Sequence, residues 1–445
     1  MPNIDTFLSQ LNGVLWGPPM LVLLFGTHLF LTIRLGFIQK HLPLGIRLSL
    51  SRKKEGPGDV SQFGALMTAL AATIGTGNIV GVATAVAAGG PGAVLWMWLT
   101  GVFGIATKYS EALLAVKYRK VNAQGQMCGG PMYVLQYGMN NRWLGLCFAA
   151  FCAVAAFGIG NMVQANSLAV LAQESFHIPR WLTGVIICAV TALVILGGIG
   201  SISRACEKLV PFMAIFYILG CVILLFIHAD RIPESLRLIF TSAFTGQAAI
   251  GGFLGAGMKE AIRFGIARGL FSNESGMGSA PIVAAAAQTK NPVEQALVSS
   301  TGTFWDTVVI CALTGIVVVS SGQWVHGLNG ASLTKAAFED IPIVGPTVLI
   351  VGLATFVFST ILGWCYYGEK SIEYLLGYGA VKYYRYLWVV AVFIGSVMSL
   401  PSVWNFADCA NALMAIPNLI SLIALNGIIA KETGMYFKAA SNRKV

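Results

Sequence analysis

Two long apolar segments of this chain are interrupted by glycine and small polar residues, at corresponding positions in its two halves. The first interruption reads AATIGTGN over residues 71–78, and the second reads GLFSNESGMGS over residues 269–279. Inside a bilayer every backbone N–H and C=O needs a partner, so an unwound stretch is tolerated only where it lines a cavity or binds a ligand. Paired interruptions of this kind are typical of the substrate and ion site of a transporter.

The composition of the chain indicates an all-α membrane protein with many spans. Of its 445 residues, 56% are hydrophobic and only 10% are charged, whereas a soluble domain carries about 25% charged residues. The nine cysteines form no C-x-x-C pair and the five histidines no H-E-x-x-H motif, so no metal enzyme is indicated. We expect no membrane enzyme of another kind, because the sequence has no histidine cluster, nucleophile elbow or metal-ligand string. We also expect no cleavable signal peptide, because no basic stretch precedes the first apolar run.

About eleven transmembrane helices are predicted from runs of roughly 20 apolar residues. They cover residues 17–36, 61–88, 91–118, 143–172, 181–199, 206–228, 246–287, 292–321, 343–369, 384–401 and 403–430. The seventh is too long for one straight span, and its basic residues indicate that it begins at the membrane interface. When the first span is set aside, the broken segments are the first and sixth of ten, so the two halves enter the membrane from opposite sides. This arrangement is a five-plus-five inverted repeat with one extra N-terminal helix.

The spans divide the chain into four parts. Residues 1–60 form the extra helix and a basic loop, residues 61–228 the first repeat, residues 229–430 the second repeat with an extracellular segment, and residues 431–445 a tail. The tail and the loops on its side hold 19 Lys and Arg, against 4 on the other side. Since cytoplasmic loops carry the basic excess, we predict a multi-pass protein of the plasma (inner) membrane with its N-terminus outside and its C-terminus in the cytoplasm. The net charge of +10 is then a topology signal, and we expect membrane lipid and no nucleic acid as a partner.

The first interruption offers groups of both polarities. The amides of Thr76, Gly77 and Asn78 start a half-helix, whose N-terminus attracts an anion such as a carboxylate. The preceding half-helix ends in the free carbonyls of residues 71–74, which suit a cation or an ammonium group. The alternative is a close helix contact of the G-x-x-x-G kind between Gly77 and Gly81.

The second interruption concentrates polar residues at membrane depth. It holds Ser272, Asn273, Glu274, Ser275 and Ser279 between apolar flanks and ends at Pro281. Such residues are expensive inside a membrane and usually functional. The alternative is a loop at the membrane surface, but the apolar run that follows, residues 282–287, is too short to span the membrane alone.

Three other positions complete the candidate site. Ser359 and Thr360 are adjacent hydroxyl residues whose oxygens suit a small hard cation, or which hydrogen-bond back to their own helix. Trp364 lies four residues after Thr360 and so on the same side of the helix, where it either walls a small pocket or packs in the core. Gln164 is a polar residue on a buried helix and contacts either a ligand or another helix.

Four long strings of this chain resemble the alanine/glycine:cation symporter family, over nearly its whole length. They are ATIGTGNIVGVATA from Ala72, GGPGAVLWMW from Gly89, GLFSNESGMGSAP from Gly269 and FSTILGWCYYGEK from Phe358. The family is similar in fold to the leucine transporter type, an inverted repeat of ten core helices. Its members import small neutral amino acids, typically alanine or glycine, together with sodium.

The resemblance implies a set of binding residues and no cofactor other than sodium as the coupling ion. The implied sodium ligands are the carbonyls of Ala71 and Ile74 with the hydroxyls of Ser359 and Thr360. The predicted substrate-binding residues are Thr73, Thr76, Gly77, Asn78, Gln164, Phe271, Ser272, Asn273, Ser275, Gly276 and Trp364. The amides of Thr76 and Gly77 are expected to face the substrate carboxylate.

Two other functions are weighed against sodium-coupled symport. A channel needs a continuous polar lining or a charged ring, whereas the polar residues here gather at one depth between two broken helices. Proton coupling needs a titratable group at the site, for which Glu274, Asp306 and Asp408 are the candidates. Each of these carboxylates is also explained as a structural charge paired near a helix end.

Overall fold

The computed structural model describes residues 4–51, 56–245, 257–339, 341–398 and 400–442, and these are almost entirely helical. The helices of the first half are α1 (Ile4–Leu15), α2 (Pro18–Arg34), α3 (Leu42–Ser49), α4 (Gln62–Thr73), α5 (Val82–Gly89), α6 (Gly92–Lys117), α7 (Pro131–Tyr133), α8 (Arg142–Phe157), α9 (Val163–Phe176), α10 (Arg180–Ile195) and α11 (Gly198–Ile227). Those of the second half are α12 (Ile232–Ser242), α13 (Met258–Asn273), α14 (Pro281–Ala284), α15 (Pro292–Thr303), α16 (Ala312–Ser321), α17 (Gly330–Glu339), α18 (Val344–Leu376), α19 (Gly379–Val397), α20 (Leu400–Ala424) and α21 (Asn426–Asn442). An antiparallel hairpin of β1 (Lys120–Val121) and β2 (Met127–Cys128) follows α6.

Wider and tighter helical turns connect several of these helices. The π-helical stretches are Gly77–Gly81 before α5, Val134–Gly138 after α7, Gly158–Met162 between α8 and α9, and Phe304–Cys311 between α15 and α16. The 3-10 turns are Ile38–His41, Ala229–Arg231 and Gln323–His326. Three of the π-helical stretches, Gly77–Gly81, Gly158–Met162 and Phe304–Cys311, adjoin apolar helices. Because π-helical turns are frequent at functional sites, these stretches are candidates for the functional region.

Length and hydropathy identify a multi-pass membrane protein. Within the described residues, five continuous helices are long and apolar enough to cross a membrane, or up to seven if each of two bent pairs is one span. The five are Arg142–Phe176, Gly198–Ile227, Pro292–Ser321, Val344–Leu376 and Trp404–Ala424. The number of eleven spans therefore stays a prediction, and the first eleven residues of the predicted span 246–287 lie outside the described residues.

The first predicted break is present. Helix α4 ends at Thr73, and Ile74 has an extended backbone with φ −76° and ψ 94°. The chain resumes at Gly77, and the two half-helices meet at an angle of 52°. The carbonyls at the end of α4 are thus left without the partners that a continuous helix would give them.

The second predicted break is also present. Helix α13 ends at Asn273 because Glu274 adopts a left-handed conformation, with φ 55°. Gly276 and Gly278 follow with φ 89° and 82°, a conformation that glycine reaches without the steric cost of a side chain. Helix α14 then begins at Pro281, a residue suited to a first helical turn.

The two breaks lie against each other inside the bundle. Helix α13 packs on α5 and α6, while α4 packs on α11 and α18. Glycine permits this close approach, because a Cβ added to Gly77 would lie 3.2 Å from both Phe271 Cδ1 and Ser272 Cα. Likewise, a Cβ on Gly363 of α18 would lie 2.8 Å from the Ala72 backbone nitrogen. The sequence thus brings backbone of both breaks into one region.

One end of the bundle, the predicted cytoplasmic end, is tied together through the backbone. Val60, just before α4, forms a parallel bridge with Ala287, just after α14. The guanidinium of Arg119 donates hydrogen bonds of 2.8–3.0 Å to four carbonyl oxygens, those of Pro57, Ala285, Ala287 and Thr289. The segments that lead into the first broken helix and out of the second are therefore joined at this end.

Candidate functional site

The first break presents amides that already contact side-chain oxygens. The Thr76 N–H donates to Gln164 Oε1 at 3.1 Å, and the Gly75 N–H donates to Asn78 Oδ1 at 2.8 Å. Gln164 is fixed in turn by a 2.8 Å bond from its Nε2 to the carbonyl of Ile159 in the Gly158–Met162 π-helical stretch. Gln164 Oε1 is therefore held at the start of the half-helix, where the positive end of the helix dipole favours a hydrogen-bond acceptor.

Three oxygens converge where the broken helix α4 meets α18. The Thr360 hydroxyl donates to the carbonyl oxygens of Ala71 at 3.0 Å and of Ile74 at 3.2 Å. Gly75 is what allows this approach, because a Cβ there would lie 2.6 Å from Thr360 Oγ1. Neutral hydroxyl and carbonyl oxygens are suitable ligands for a hard cation, so the donor set fits sodium.

Ser359 differs from Thr360 in this respect. Its hydroxyl donates to the carbonyl of Phe356, one turn earlier on the same helix, at 2.9 Å. Of the four predicted sodium ligands, the structure thus brings together Ala71, Ile74 and Thr360. The Ser359 hydroxyl takes the other course considered from the sequence, which is a bond to its own helix.

Asp306 connects the two breaks, a role that the sequence did not reveal. Its Oδ1 accepts from Asn78 Nδ2 at 2.7 Å, and its Oδ2 accepts from the hydroxyls of Ser272 at 3.0 Å and Thr307 at 2.7 Å. The Cys311 thiol lies 3.3 Å from the same Asn78 nitrogen. Since all these groups are buried, the carboxylate organises the first break, the second break and the Phe304–Cys311 π-helical stretch around one charge.

Trp364 lies between the second break and the Gly158–Met162 stretch. Its indole N–H donates to Glu274 Oε1 at 2.8 Å, and Glu274 also accepts a short hydrogen bond from the Ser279 hydroxyl. The ring packs directly on Gly160, where an added Cβ would lie 2.1 Å from Trp364 Cβ. Trp364 is therefore a fully buried wall whose position depends on a glycine.

Other predicted substrate-binding residues turn away from this meeting point. The Gly276 carbonyl accepts from Asn418 Nδ2 at 2.8 Å, and a Cβ on Gly276 would face Leu24 of α2 and Leu419 of α20. The Ser275 hydroxyl lies 3.1 Å from that of Thr303.

Two more of the predicted residues bond locally. The Thr73 hydroxyl bonds back to its own helix at Ala69, and Asn273 Oδ1 accepts from the Ser275 amide at 2.9 Å. The last turn of α13 packs on the first break. The predicted substrate-binding residues that lie together there are therefore Thr76, Gly77, Asn78, Gln164, Phe271 and Ser272.

An ion pair and two rings cover the site towards the predicted outer face. Arg268 Nη2 lies 3.0 Å from Asp408 Oδ2 of α20. The same guanidinium lies over the rings of Phe271 and Trp404, at 5.6 and 5.1 Å from their centroids. From the sequence, Arg268 indicated only that its segment begins at the membrane interface, and its partners were not identifiable. Asp408, weighed above as a proton site, is thus one half of an ion pair.

A helical membrane protein with two broken helices that meet at a buried polar site is a secondary transporter in architecture. The chain belongs to the sodium:alanine symporter family, whose family model matches residues 1–445. It is therefore a multi-pass membrane transporter and not an enzyme, as predicted.

The chain is similar to several known proteins over nearly its full length. It is 50% identical over 448 residues to the sodium/alanine symporter AgcS of Methanococcus maripaludis, with 98% of each chain covered. It is also 50% identical over 441 residues to an uncharacterized transporter of Haemophilus influenzae, covering 98% of this chain and 97% of the relative. A third relative, the probable sodium/glutamine symporter GlnT of Bacillus subtilis, is 35% identical, with 96% of this chain and 89% of the relative covered.

Two solved structures share the fold. MhsT in complex with L-phenylalanine matches with a TM-score of 0.60 at 14% identity, covering 83% of this chain and 89% of MhsT. A mutant form of the manganese transporter of Eremococcus coleocola matches with a TM-score of 0.55 at 15% identity, covering 84% of this chain and 83% of the transporter. These likenesses confirm the predicted leucine-transporter-type fold.

Proposed function

We propose that this protein is a sodium-coupled symporter of small neutral amino acids, with alanine and glycine as its substrates. The observation that carries the proposal is the convergence of the Thr360 hydroxyl on the carbonyls of Ala71 and Ile74. The names of the relatives, which include a sodium/alanine symporter, agree with it. The donor set is neutral and made of oxygen, which suits sodium better than a transition metal.

Sodium binding at this place couples two structural units. The carbonyl ligands belong to the broken helix α4, and the hydroxyl belongs to the continuous helix α18. Without an ion, the Thr360 hydroxyl donates hydrogen bonds to the two carbonyl oxygens. With sodium bound, the hydroxyl turns an oxygen lone pair towards the ion. The ion therefore stabilises one relative position of α4 and α18, which is the requirement for a ligand to shift a conformational equilibrium.

The amino acid is proposed to bind beside the ion, across the two breaks. Its carboxylate accepts hydrogen bonds from the amides of Thr76 and Gly77, and one carboxylate oxygen replaces Gln164 Oε1 at the Thr76 N–H. Its ammonium group meets carbonyl oxygens that the breaks leave free. Asp306 already accepts three hydrogen bonds, so its proposed role is to hold Asn78 and Ser272 in place.

Close packing limits the size of the substrate. A side-chain Cβ on Gly77 would lie 3.2 Å from Phe271 Cδ1 and from Ser272 Cα, and Trp364 packs directly on Gly160. Neither wall can retreat without breaking a buried contact, since protein interiors are close-packed. Glycine and alanine fit such a site better than leucine or phenylalanine.

Alternating access is proposed as the transport cycle. The Arg268–Asp408 ion pair covers the site towards the predicted outer face, and the Val60–Ala287 bridge joins the two broken segments at the predicted cytoplasmic end. An open polar pore would be continuous from one face to the other, so these two contacts favour a symporter over a channel. We assign the Arg119 end to the cytoplasm of the cell and the α1 end to the outside.

The proposal is tested by uptake of labelled alanine into proteoliposomes. We expect uptake with an inward sodium gradient, no uptake when choline replaces sodium, and no effect of a protonophore at zero membrane potential. Excess glycine should compete and leucine should not. Uptake that follows a proton gradient and ignores sodium would contradict the proposal and would return attention to Glu274, Asp306 and Asp408.

A further inference from the structure

Helix α6 turns one polar face towards the second break. Gly104, Lys108 and Glu111 are spaced by four and three residues and therefore share a side of the helix. A Cβ on Gly104 would lie 3.0 Å from Ser275 Oγ, and Glu111 Oε1 accepts from the Gly278 N–H at 3.0 Å. Lys108 lies between these two contact points, so its side chain belongs to the same interface.

The Lys108 ammonium is buried without a hydrogen-bond partner in the described part of the chain. The residue is 3% exposed, and its Nζ has no hydrogen-bond partner among the described residues. Lysine is almost never fully buried unless it is paired, and an ionisable residue inside a membrane protein usually marks a functional site. Neither the sodium ligands nor the proposed amino-acid contacts use it.

Several ionisable groups surround this ammonium. Glu111 of the same helix, Glu274 of the second break and Asp306 of the Phe304–Cys311 stretch all interact with the Lys108 charge, as does His28 of α2. The three carboxyl groups are at most 2% exposed. Their hydrogen-bond donors, such as Trp364 for Glu274 and Asn78 for Asp306, carry no net charge. One ammonium thus faces three carboxylates without a direct bond to any of them.

We propose that Lys108 is a built-in counter-cation of the transport site, which supplies to Glu274 and Asp306 the positive charge that an additional bound ion would otherwise have to bring. The proposal rests on the proposed function, in which a zwitterionic amino acid enters together with sodium. A charge acts through space at low dielectric constant, so no direct bond is required. The consequence is that the protein moves each amino acid with a single sodium ion.

Asp306 and Glu274 connect the Lys108 charge to the substrate site. Asp306 holds the first break through Asn78, and Glu274 holds Trp364 at 2.8 Å. If Lys108 loses its charge, the same groups carry one more uncompensated negative charge, which is costly in a buried site. Another sodium ion or a proton then has to enter before the site can close. Lys108 is therefore a positioning residue, which acts on the substrate through the two carboxylates.

A measurement on purified protein separates this role from simple packing and does not depend on the substrate. Lys108→Met keeps the unbranched chain up to the position of Cε and removes the ammonium group, while Lys108→Arg keeps the charge. The control is Lys117→Met at the end of the same helix, where the lysine pairs with Glu432 at 2.7 Å. Melting temperatures are measured in sodium and in choline chloride, at about pH 8 and about pH 6.

We expect Lys108→Met to lose about 5 °C or more at about pH 8 in choline and to regain most of it in sodium or at about pH 6. Lys108→Arg and Lys117→Met should follow the wild-type protein under all four conditions. A Lys108→Met loss that neither sodium nor protons restore would overturn the proposal, because lost packing does not respond to cations. The proposal would also be overturned if the melting temperature of Lys108→Met responded to sodium and to pH in the same way as that of the wild-type protein.

The sodium dependence of alanine uptake gives the second readout. In wild-type proteoliposomes we expect a Hill coefficient of about 1, and in Lys108→Met a coefficient that rises towards about 2, since it is bounded by the number of sites. An unchanged coefficient in a variant that still transports would overturn the counter-cation role. If the wild-type protein shows no sodium-driven alanine uptake, the proposed function fails, and the melting temperatures decide on Lys108 independently.

Discussion

The side-chain amide of Asn78 lies 2.7 Å from Oδ1 of Asp306, across 228 residues of sequence. Asn78 belongs to the first break, and Asp306 to the π-helical stretch between α15 and α16. Ser272 of the second break donates to the other carboxylate oxygen. The position of each break therefore depends on the same carboxylate, and a change at Asp306 should affect both.

Asp306→Asn tests this dependence. The amide keeps the shape of the carboxyl group, but its nitrogen is a donor. This nitrogen cannot accept from Asn78 if it takes the Oδ1 position, nor from the Ser272 and Thr307 hydroxyls if it takes the Oδ2 position. We expect a loss of about 1–3 kcal/mol in stability, the cost of leaving a buried group without its partner, and a weaker affinity for alanine. Thermal unfolding and ligand titration of the purified protein measure both. Asp230→Asn, at an exposed turn, should change neither; equal effects of the two variants would contradict the role of Asp306.

The two hydroxyls of α18 should differ in their effect on sodium. Thr360→Ala removes the oxygen that faces Ala71 and Ile74, so we expect the sodium concentration for half-maximal uptake to rise by about tenfold or more, which corresponds to about 1.4 kcal/mol. Thr360→Ser should retain the wild-type value. Ser359→Ala removes a bond to its own helix and should have a small effect. If Ser359→Ala and Thr360→Ala raise the value equally, the Ser359 hydroxyl turns to the ion when it binds.

Part of this site could be predicted from the sequence. Glycine and small polar residues inside apolar runs marked both breaks, because their conformational preferences are local. The contact of Thr360 with Ala71 and Ile74 was implied by the family resemblance and is present. The fold followed from the offset between the two breaks and from the same resemblance.

Other features depend on how helices distant in the sequence pack, which local preferences do not determine. The family resemblance predicted Gly276 as a substrate-binding residue, and the rotation of the second break, which the sequence does not determine, turns it towards α2 and α20. Asp306 and Lys108 lie in apolar helices with no motif around them, and only the register of these helices against the breaks reveals their contacts. Arg268 was interpreted as a residue of the membrane interface, and its pairing with Asp408 requires the position of α20.

Trp364 should set the upper size of the substrate. Trp364→Ala opens the space between Gly160 and the second break, so leucine should compete with labelled alanine in this variant and not in the wild type. Trp364→Phe keeps most of the ring and loses only the bond to Glu274, so the size limit should remain. Competition assays across glycine, alanine, valine and leucine measure the limit. An unchanged limit in Trp364→Ala would mean that the ring serves packing alone.

The closure at Arg268 should control access to the site from the predicted outer face. Cys311 reports on it, because this buried thiol touches Ser272 at 3.2 Å. In a Cys147→Ser background, which removes the exposed cysteine, Arg268→Ala should speed labelling of Cys311 by a membrane-impermeant thiol reagent, since the ion pair with Asp408 and the contacts with both rings are lost. Sodium and alanine should slow the labelling. Equal labelling rates with and without Arg268 would show that another contact closes the site.

The face of the second break that binds the substrate can be decided with two alanine substitutions. In Gly77→Ala the new methyl group meets Phe271 and Ser272 at 3.2 Å, which forces the two breaks apart where the amino acid is proposed to bind. We expect alanine affinity to fall by about tenfold or more, or about 1.4 kcal/mol, with a smaller effect on stability.

Gly276→Ala should do the reverse. Its methyl group meets Leu24 at 3.1 Å and Leu419 at 3.2 Å, at a φ of 89°. A non-glycine residue is strained at such a backbone angle, at a cost of about 1–3 kcal/mol. We therefore expect a lower melting temperature and a nearly unchanged affinity for alanine, measured by titration of the purified, monodisperse protein. If Gly276→Ala instead abolishes binding while Gly77→Ala retains it, the substrate lies on the side of the second break that faces α2 and α20.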